Sequence, residues 1–292
     1  MKRIIAFVLL LSIVVLSTFA LAGCGEDKLI GFDTELAEAV AEELGIEIEF
    51  KEINWDAKVT LVEGGQINVI WNGFTYTEER ATGYVDENGN QIGGLDFSPP
   101  YMMNRQVAVV KKSEAANYTG VASFEGKSGC AEAESAGAEA IKTLLNGTPA
   151  ELEKQVDVFT AVTSGNKDYG VIDATMASVY VQADNGAYKD ELAVVEIGAE
   201  NEYYAVGFKK DTNLDEVFTY ALAKVFQSGK ALEIAEKYGL KDVLFNPFAD
   251  ITEEELNNYE FPTDGQWKEV KDAGKVIVGY TIFAPMNYFE AD

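Results

Sequence analysis

Between residues 33 and 71 the hydrophobic spacing alternates between helical and strand periods, which restricts the chain to an α/β architecture. Asp33 or Thr34 can cap a helix that carries Leu36, Val40 and Leu44 on one face, with Gly45 just past its end. Ile46, Ile48 and Phe50 then alternate as a strand. A second helix over 56–63 stops at Gly64-Gly65, and an apolar strand runs through Ile67, Val69 and Ile70 to Trp71. Such a rhythm predicts a sheet with helical crossovers. Further strands are expected at 106–110, 156–159, 169–172, 203–208 and 275–279, and further helices at 135–145, 214–226 and 230–238. Residues 81–95, ATGYVDENGNQIGGL, read as a hairpin or loop, and the acidic stretch 246–266 as a linker or irregular surface segment.

The first 23 residues have a different character. Lys2 and Arg3 precede an apolar run, and Leu21-Ala22-Gly23-Cys24 resembles a bacterial lipobox. Residues 1–23 are therefore expected to be a lipoprotein signal peptide, with Cys24 lipidated and the protein anchored by that lipid on the outer side of the cell membrane; an ordinary cleaved signal is the rival reading. The net charge of −26 argues against nucleic-acid binding. With no histidine in the chain, Ser-His and Cys-His catalysis and the usual zinc sites are excluded. If Cys24 is lipidated, Cys130 has no partner for a disulfide and reads as a small buried apolar residue.

The ten residues WNGFTYTEER at 71–80 concentrate the chemistry. An apolar strand gives way to a turn at Gly73, and a helix start follows with Thr75 and Thr77 as candidate caps. Hydroxyls, backbone N–H groups and Arg80 thus converge at a strand end, an arrangement suited to a small carboxylate. The bland alternative is a capped surface helix whose Arg80 pairs with a nearby glutamate.

Several segments resemble the polar amino-acid substrate-binding proteins of bacterial ABC importers, solute-binding protein family 3. They are Gly31-Phe32-Asp33, WNGFTYTEER, Asp96-Phe97-Ser98-Pro99-Pro100-Tyr101, DYGVID at 168–173, YAVGFK at 204–209 and GKALEIAEKY at 229–238. The resemblance implies an α/β, two-lobed periplasmic-binding-protein-like (type II) fold with a two-strand hinge that closes on its ligand. Lobe 1 is expected over 28–106 plus 205–292 and lobe 2 over 107–204, with hinge crossings at 106–110 and 204–208. The order of the segments departs from the family. Its usual opening, here Gly274 to Tyr280 followed by Phe283-Ala284-Pro285, stands at the far end of the chain. A circular permutation accounts for this, with 241–270 bridging the old termini. A truncated tandem repeat or a mis-assembled gene would instead leave residues 270–292 unable to fold back onto 28–36.

Carried over by the resemblance, Arg80 would hold the ligand α-carboxylate bidentately. The Gly73 carbonyl and the Asp173 carboxylate would take the α-ammonium, and Thr75 would bind the ligand backbone. Ser135 would add a hydroxyl or N–H from lobe 2, and Phe283, with Trp71 and Phe74, would form walls. No cofactor and no metal is implied. The expected partners are a free amino acid (glutamine, cystine, methionine or a basic one such as arginine), an ABC permease and its ATPase. Glu134 stands where relatives carry a hydroxyl residue; it would repel a carboxylate unless it points away or meets a cationic group. The stretch 160–165 is also short for the helix that relatives carry there. Two other functions share the fold: an amino-acid-sensing domain, and a dehydratase-like enzyme that would need a protonated carboxylic acid, for which Glu134 is the candidate.

Overall fold

The computed structural model describes residues 28–85 and 91–290; the expected signal peptide and Cys24 lie outside them. Two five-stranded sheets carry the fold. In the first, the strand Lys275–Tyr280 lies between Glu47–Glu52 and Val69–Ile70, parallel to both, and Gly207–Lys209 and Leu95–Phe97 complete the order. In the second, Ala150–Leu152, Gly129–Glu132 and Tyr169–Asp173 run parallel, followed by Gln106–Lys111 and Leu192–Glu196 in antiparallel register. The chain passes between the sheets twice, and the passages pair as an antiparallel ribbon of Met102–Asn104 with Glu202–Tyr204. The crossings were expected at 106–110 and 204–208. Residues 106–111 instead belong wholly to the second sheet, because all of them pair there with its strands.

Alternation along the strands builds two apolar faces on each sheet. Val276 and Val278 face the helices Phe32–Leu44 and Leu214–Gln227 and pack with Leu36, Val40 and Phe218, whereas Ile277 faces the cluster of Trp55, Val62, Ile70 and Phe74. In the second sheet Ala108, Val110 and Val171 pack with Ile141 of the helix Ala136–Thr143. Val107, Val109 and Cys130 share the opposite cluster with Val158, Phe159 and Val162. Those last three correct a sequence expectation: the sequence predicts a strand over 156–159, but Asp157–Thr163 is a helix. Its apolar positions are spaced i, i+1 and i+4, and the sheet supplies the face that they cover. Residues 246–266 are also more ordered than expected, holding the helix Glu253–Asn257 with a Thr252/Glu255 capping box and the start of Gly265–Ala273. The 81–95 insertion forms a short hairpin of Tyr84–Val85 with Gln91–Ile92. Cys130 is free and fully buried, and burial pushes its thiol up to about 11.

Residues 270–290 do fold back onto the start of the described chain. Leu29 and Ile30 pair with Phe289 and Tyr288. The helix Phe32–Leu44 has no side-chain cap, contrary to the expectation for Asp33 or Thr34. Its orphan N–H groups donate instead to distant carbonyls: Phe32 to Pro285 (2.8 Å), and Asp33 and Thr34 to Met286 (3.0 and 3.3 Å). So close an approach leaves no room at Gly31, where a Cβ would stand 2.1 Å from the Met286 oxygen at a φ of 128°. Gly31→Ala should therefore destabilise the protein by about 1–3 kcal/mol, read as a lowered midpoint in urea.

Candidate functional site

The turn after Val69–Ile70 gathers residues from distant parts of the chain. Asn72 donates to the Thr281 carbonyl (2.9 Å) and the Asn287 Oδ1 (2.7 Å), and its own oxygen accepts from the Thr281 N–H (3.1 Å) and hydroxyl (2.8 Å). Gly73 follows at φ 56°, with its N–H donated to Asp33 Oδ2 at 2.6 Å. Tyr101 donates to the other Asp33 oxygen at 2.8 Å, yet burial still pushes this carboxyl up to about 6. A Cβ on Gly73 would fall 2.4 Å from the Phe283 ring, so that ring lies directly over the turn.

Thr77, rather than Thr75, caps the short helix Glu78–Thr82 by accepting the Arg80 N–H at 3.0 Å. The Arg80 guanidinium lies 4.7 Å from the Phe74 ring centre and donates through Nη1 to the Thr75 carbonyl at 2.6 Å. Its Nη2 reaches the Glu134 carbonyl of the facing sheet at 3.4 Å. Among the described residues no glutamate carboxylate pairs with it; the contacts that form are to carbonyls and a ring face.

From the second sheet, Asp173 ends the strand Tyr169–Asp173 and is only 5% exposed. Gln106 (2.9 Å), Tyr204 (2.8 Å) and Asn104 donate to Oδ1, and Gln155 donates to Oδ2 at 2.6 Å. Asn104 and Gln106 also donate to Glu202, each at 2.6 Å. Burial raises both carboxyls, Glu202 to about 7, and their mutual repulsion adds to the shift of Glu202. Ser135 caps the helix Ala136–Thr143 by accepting the Ala138 N–H at 3.1 Å.

Gly73, Thr75, Arg80, Ser135, Asp173 and Phe283 all line one narrow cleft between the two sheets. Trp71 and Phe74 do not. Trp71 is fully buried against Tyr101 and Phe218 in the core, and Phe74 lies behind Arg80 between Trp55 and Phe97, so their expected place as ligand walls is corrected. Glu134 is also displaced from its expected role. At φ 54° its side chain is exposed, and its carbonyl is the part that meets Arg80 and the Lys58 ammonium (3.2 Å).

Sequence reading missed Trp55, Lys58, Glu132 and Gln155. Lys58 is buried, donates also to the Trp55 carbonyl at 3.0 Å, and is pulled down to about 7 by burial and the nearby Arg80 charge. Glu132 is 4% exposed, lines the cleft and has no hydrogen-bond partner at Oε1 among the described residues. Burial, reinforced by Asp173 and partly offset by Lys58, pushes its carboxyl up to about 8. The available signal was position: Glu132, like Asp173, is the last residue of its strand, and ligands of open α/β sheets sit beyond strand carboxyl ends. Among the described residues no group of three or more acidic or cysteine side chains is placed to hold a metal, and no helix is long and apolar enough to cross a membrane.

Two sheets joined by a two-strand ribbon, with a charged cleft between them, define a hinged two-lobed ligand-binding protein of the periplasmic-binding-protein type. The chain belongs to the bacterial extracellular solute-binding proteins, family 3, which residues 17–241 match. Over 215 residues it is 25% identical to the arginine-binding extracellular protein ArtP of Bacillus subtilis (strain 168), spanning 73% of this chain and 78% of that one. A probable histidine-binding protein of Neisseria gonorrhoeae is 26% identical over 215 residues, spanning 73% of this chain and 75% of the relative. Among solved structures, an ABC uptake transporter substrate binding protein from Streptococcus pneumoniae with bound histidine superposes with a TM-score of 0.64 at 30% identity, covering 74% of this chain and 85% of that one.

The raised Glu132 carboxyl carries a pH signature. Its native form keeps a proton that the unfolded chain has already lost above about pH 4.5, so its contribution to stability is complete below that value and disappears as pH rises through about 8. Glu132→Gln lacks this loss. The stability of Glu132→Gln relative to the unsubstituted protein should therefore grow between about pH 4.5 and 8 and level off above, as followed by urea unfolding across that range.

Proposed function

We propose that this protein captures a free amino acid between its lobes and delivers it to an ABC importer permease and its ATPase, held at the outer face of the cell membrane by a lipid on Cys24. The observation that carries the reading is that Arg80, on the helix Glu78–Thr82, and Asp173, at the end of a strand of the second sheet, are opposite in charge and line one cleft. A zwitterion places its two charges a few ångströms apart and so needs partners on both sides. In this reading Arg80 takes the α-carboxylate, with the Thr75 carbonyl orienting its fork. Asp173 takes the α-ammonium on Oδ2 beside Gln155, and Gly73 offers its carbonyl to the same group. Ser135 accepts a backbone N–H as a helix cap, which leaves its hydroxyl proton for the ligand carboxylate. Phe283 and Trp55 flank the side chain. The names of relatives that bind arginine or histidine support an amino acid as the ligand.

Ligand bridging the lobes stabilises the closed form alone, and that difference in shape is what a permease can read. Lobe 1 would comprise 28–106 with 205–292, and lobe 2 107–204. A permuted chain order remains our reading; the central place of 275–280 in the first sheet supports it.

Thermal unfolding against a panel of amino acids tests the proposal. A bound amino acid at a hundred times its dissociation constant should add about 2.7 kcal/mol. Arg80→Ala should abolish that shift while the empty protein still melts cooperatively. A shift that survives the substitution, or no shift with any amino acid, would overturn the assignment.

A further inference from the structure

We infer that Glu132 reads the ligand side chain and selects a cationic one, making this a site for a basic amino acid; the inference rests on the amino-acid reading above. Glu132 and Asp173 end neighbouring parallel strands, paired through Gly129 with Tyr169 and Cys130 with Gly170, and both residues line the cleft at the carboxyl ends of those strands. They differ in what they touch. Asp173 is held by four side-chain donors, whereas Glu132 receives the Gln155 backbone N–H and its buried Oε1 has no partner among the described residues.

A buried acceptor left unpaired is costly, and the nearby cations donate their hydrogen bonds elsewhere. Lys58 donates to the Trp55 and Glu134 carbonyls, and Arg80 to the Thr75 and Glu134 carbonyls. The missing donor must then arrive with the ligand. Charge narrows the choice further. Among the described residues, the cations that face the carboxyls of Glu132 and Asp173, with Glu202 behind them, are Lys58 and Arg80. A zwitterion with a neutral side chain leaves Glu132 holding its proton, whereas a cationic side chain beside it stabilises the carboxylate and releases that proton. Trp55 and Phe283, which line the same cleft, supply ring faces for a guanidinium or for the stem of a lysine.

The test pairs ligands of nearly the same shape: L-arginine with L-citrulline, and L-lysine with L-norleucine, titrated calorimetrically into the purified protein at pH 7.5. The cationic member of at least one pair should bind tenfold or more tighter than its neutral counterpart. Glu132→Gln, which keeps the shape, should reduce that ratio by about tenfold or more. Glu132→Asp, which keeps the charge but draws it back, should retain the preference at lower affinity and gives a second measurement if the first variant does not fold. Equal binding within both pairs, or an unchanged preference in Glu132→Gln, overturns the inference. So does binding of glutamine or another neutral amino acid with none of arginine or lysine, an outcome that leaves the amino-acid reading intact. Absence of binding by every amino acid would instead remove that reading and this one together.

Discussion

The first lobe depends on one insertion: the strand Lys275–Tyr280 lies between two strands that are adjacent in sequence and would otherwise be neighbours in the sheet. Its backbone pairs along Glu47–Glu52 on one side and Val69–Ile70 on the other. Its Val276 and Val278 fill one core, and Ile277 the other. Beyond its end, Thr281 and Asn287 bind Asn72, and the Pro285 and Met286 carbonyls receive the first N–H groups of the helix Phe32–Leu44. The turn at Gly73 and the ring of Phe283 are therefore set in register by the same segment. Sheet and site share one set of supports.

The cleft is organised by a second constraint, the cost of burying charge. Asp173 keeps its place because amides and a phenol satisfy it, and Arg80 because the Phe74 ring and the Thr75 carbonyl do. Lys58 and Arg80 both reach the Glu134 carbonyl, so the two lobes touch through cation–carbonyl contacts as well as through the ribbon at 102–104 and 202–204. An exposed ion pair of Lys154 with Glu52 also joins the two sheets (2.5 Å), and exposure limits it to a fraction of a kcal/mol to about 1 kcal/mol. Glu132 is the contrast, a buried carboxyl whose Oε1 has no hydrogen-bond partner among the described residues.

Much of this was legible beforehand where a local rule applied. The helix starting near residue 32 with its Gly45 stop, the strand before Trp71, the Ser135 cap and the convergence of Arg80 with Gly73 all follow from period, capping and turn chemistry. Failures came where a distant partner decided the outcome. Asp157–Thr163 became a helix because a sheet face was present to receive Val158, Phe159 and Val162. Gly31 replaced Asp33 as the cap residue because carbonyls some 250 residues away in sequence took the N–H groups.

From the order of residues alone came the α/β class, the exclusion of histidine chemistry and the convergence of Gly73, Thr75 and Arg80, while the resemblance to family 3 pointed to Ser135, Asp173 and Phe283. Only the folded chain separated Phe283 from Trp71 and Phe74, three aromatics of similar appearance, by placing one over the turn and the others in or behind the core. It also exchanged Glu134 for Glu132. Two residues along the chain, the first turns outward at a positive φ while the second ends a strand at the cleft, and burial then determines which carboxyl has chemistry left to offer. Burial and partners are properties of neighbours in space, which spacing along the chain does not encode.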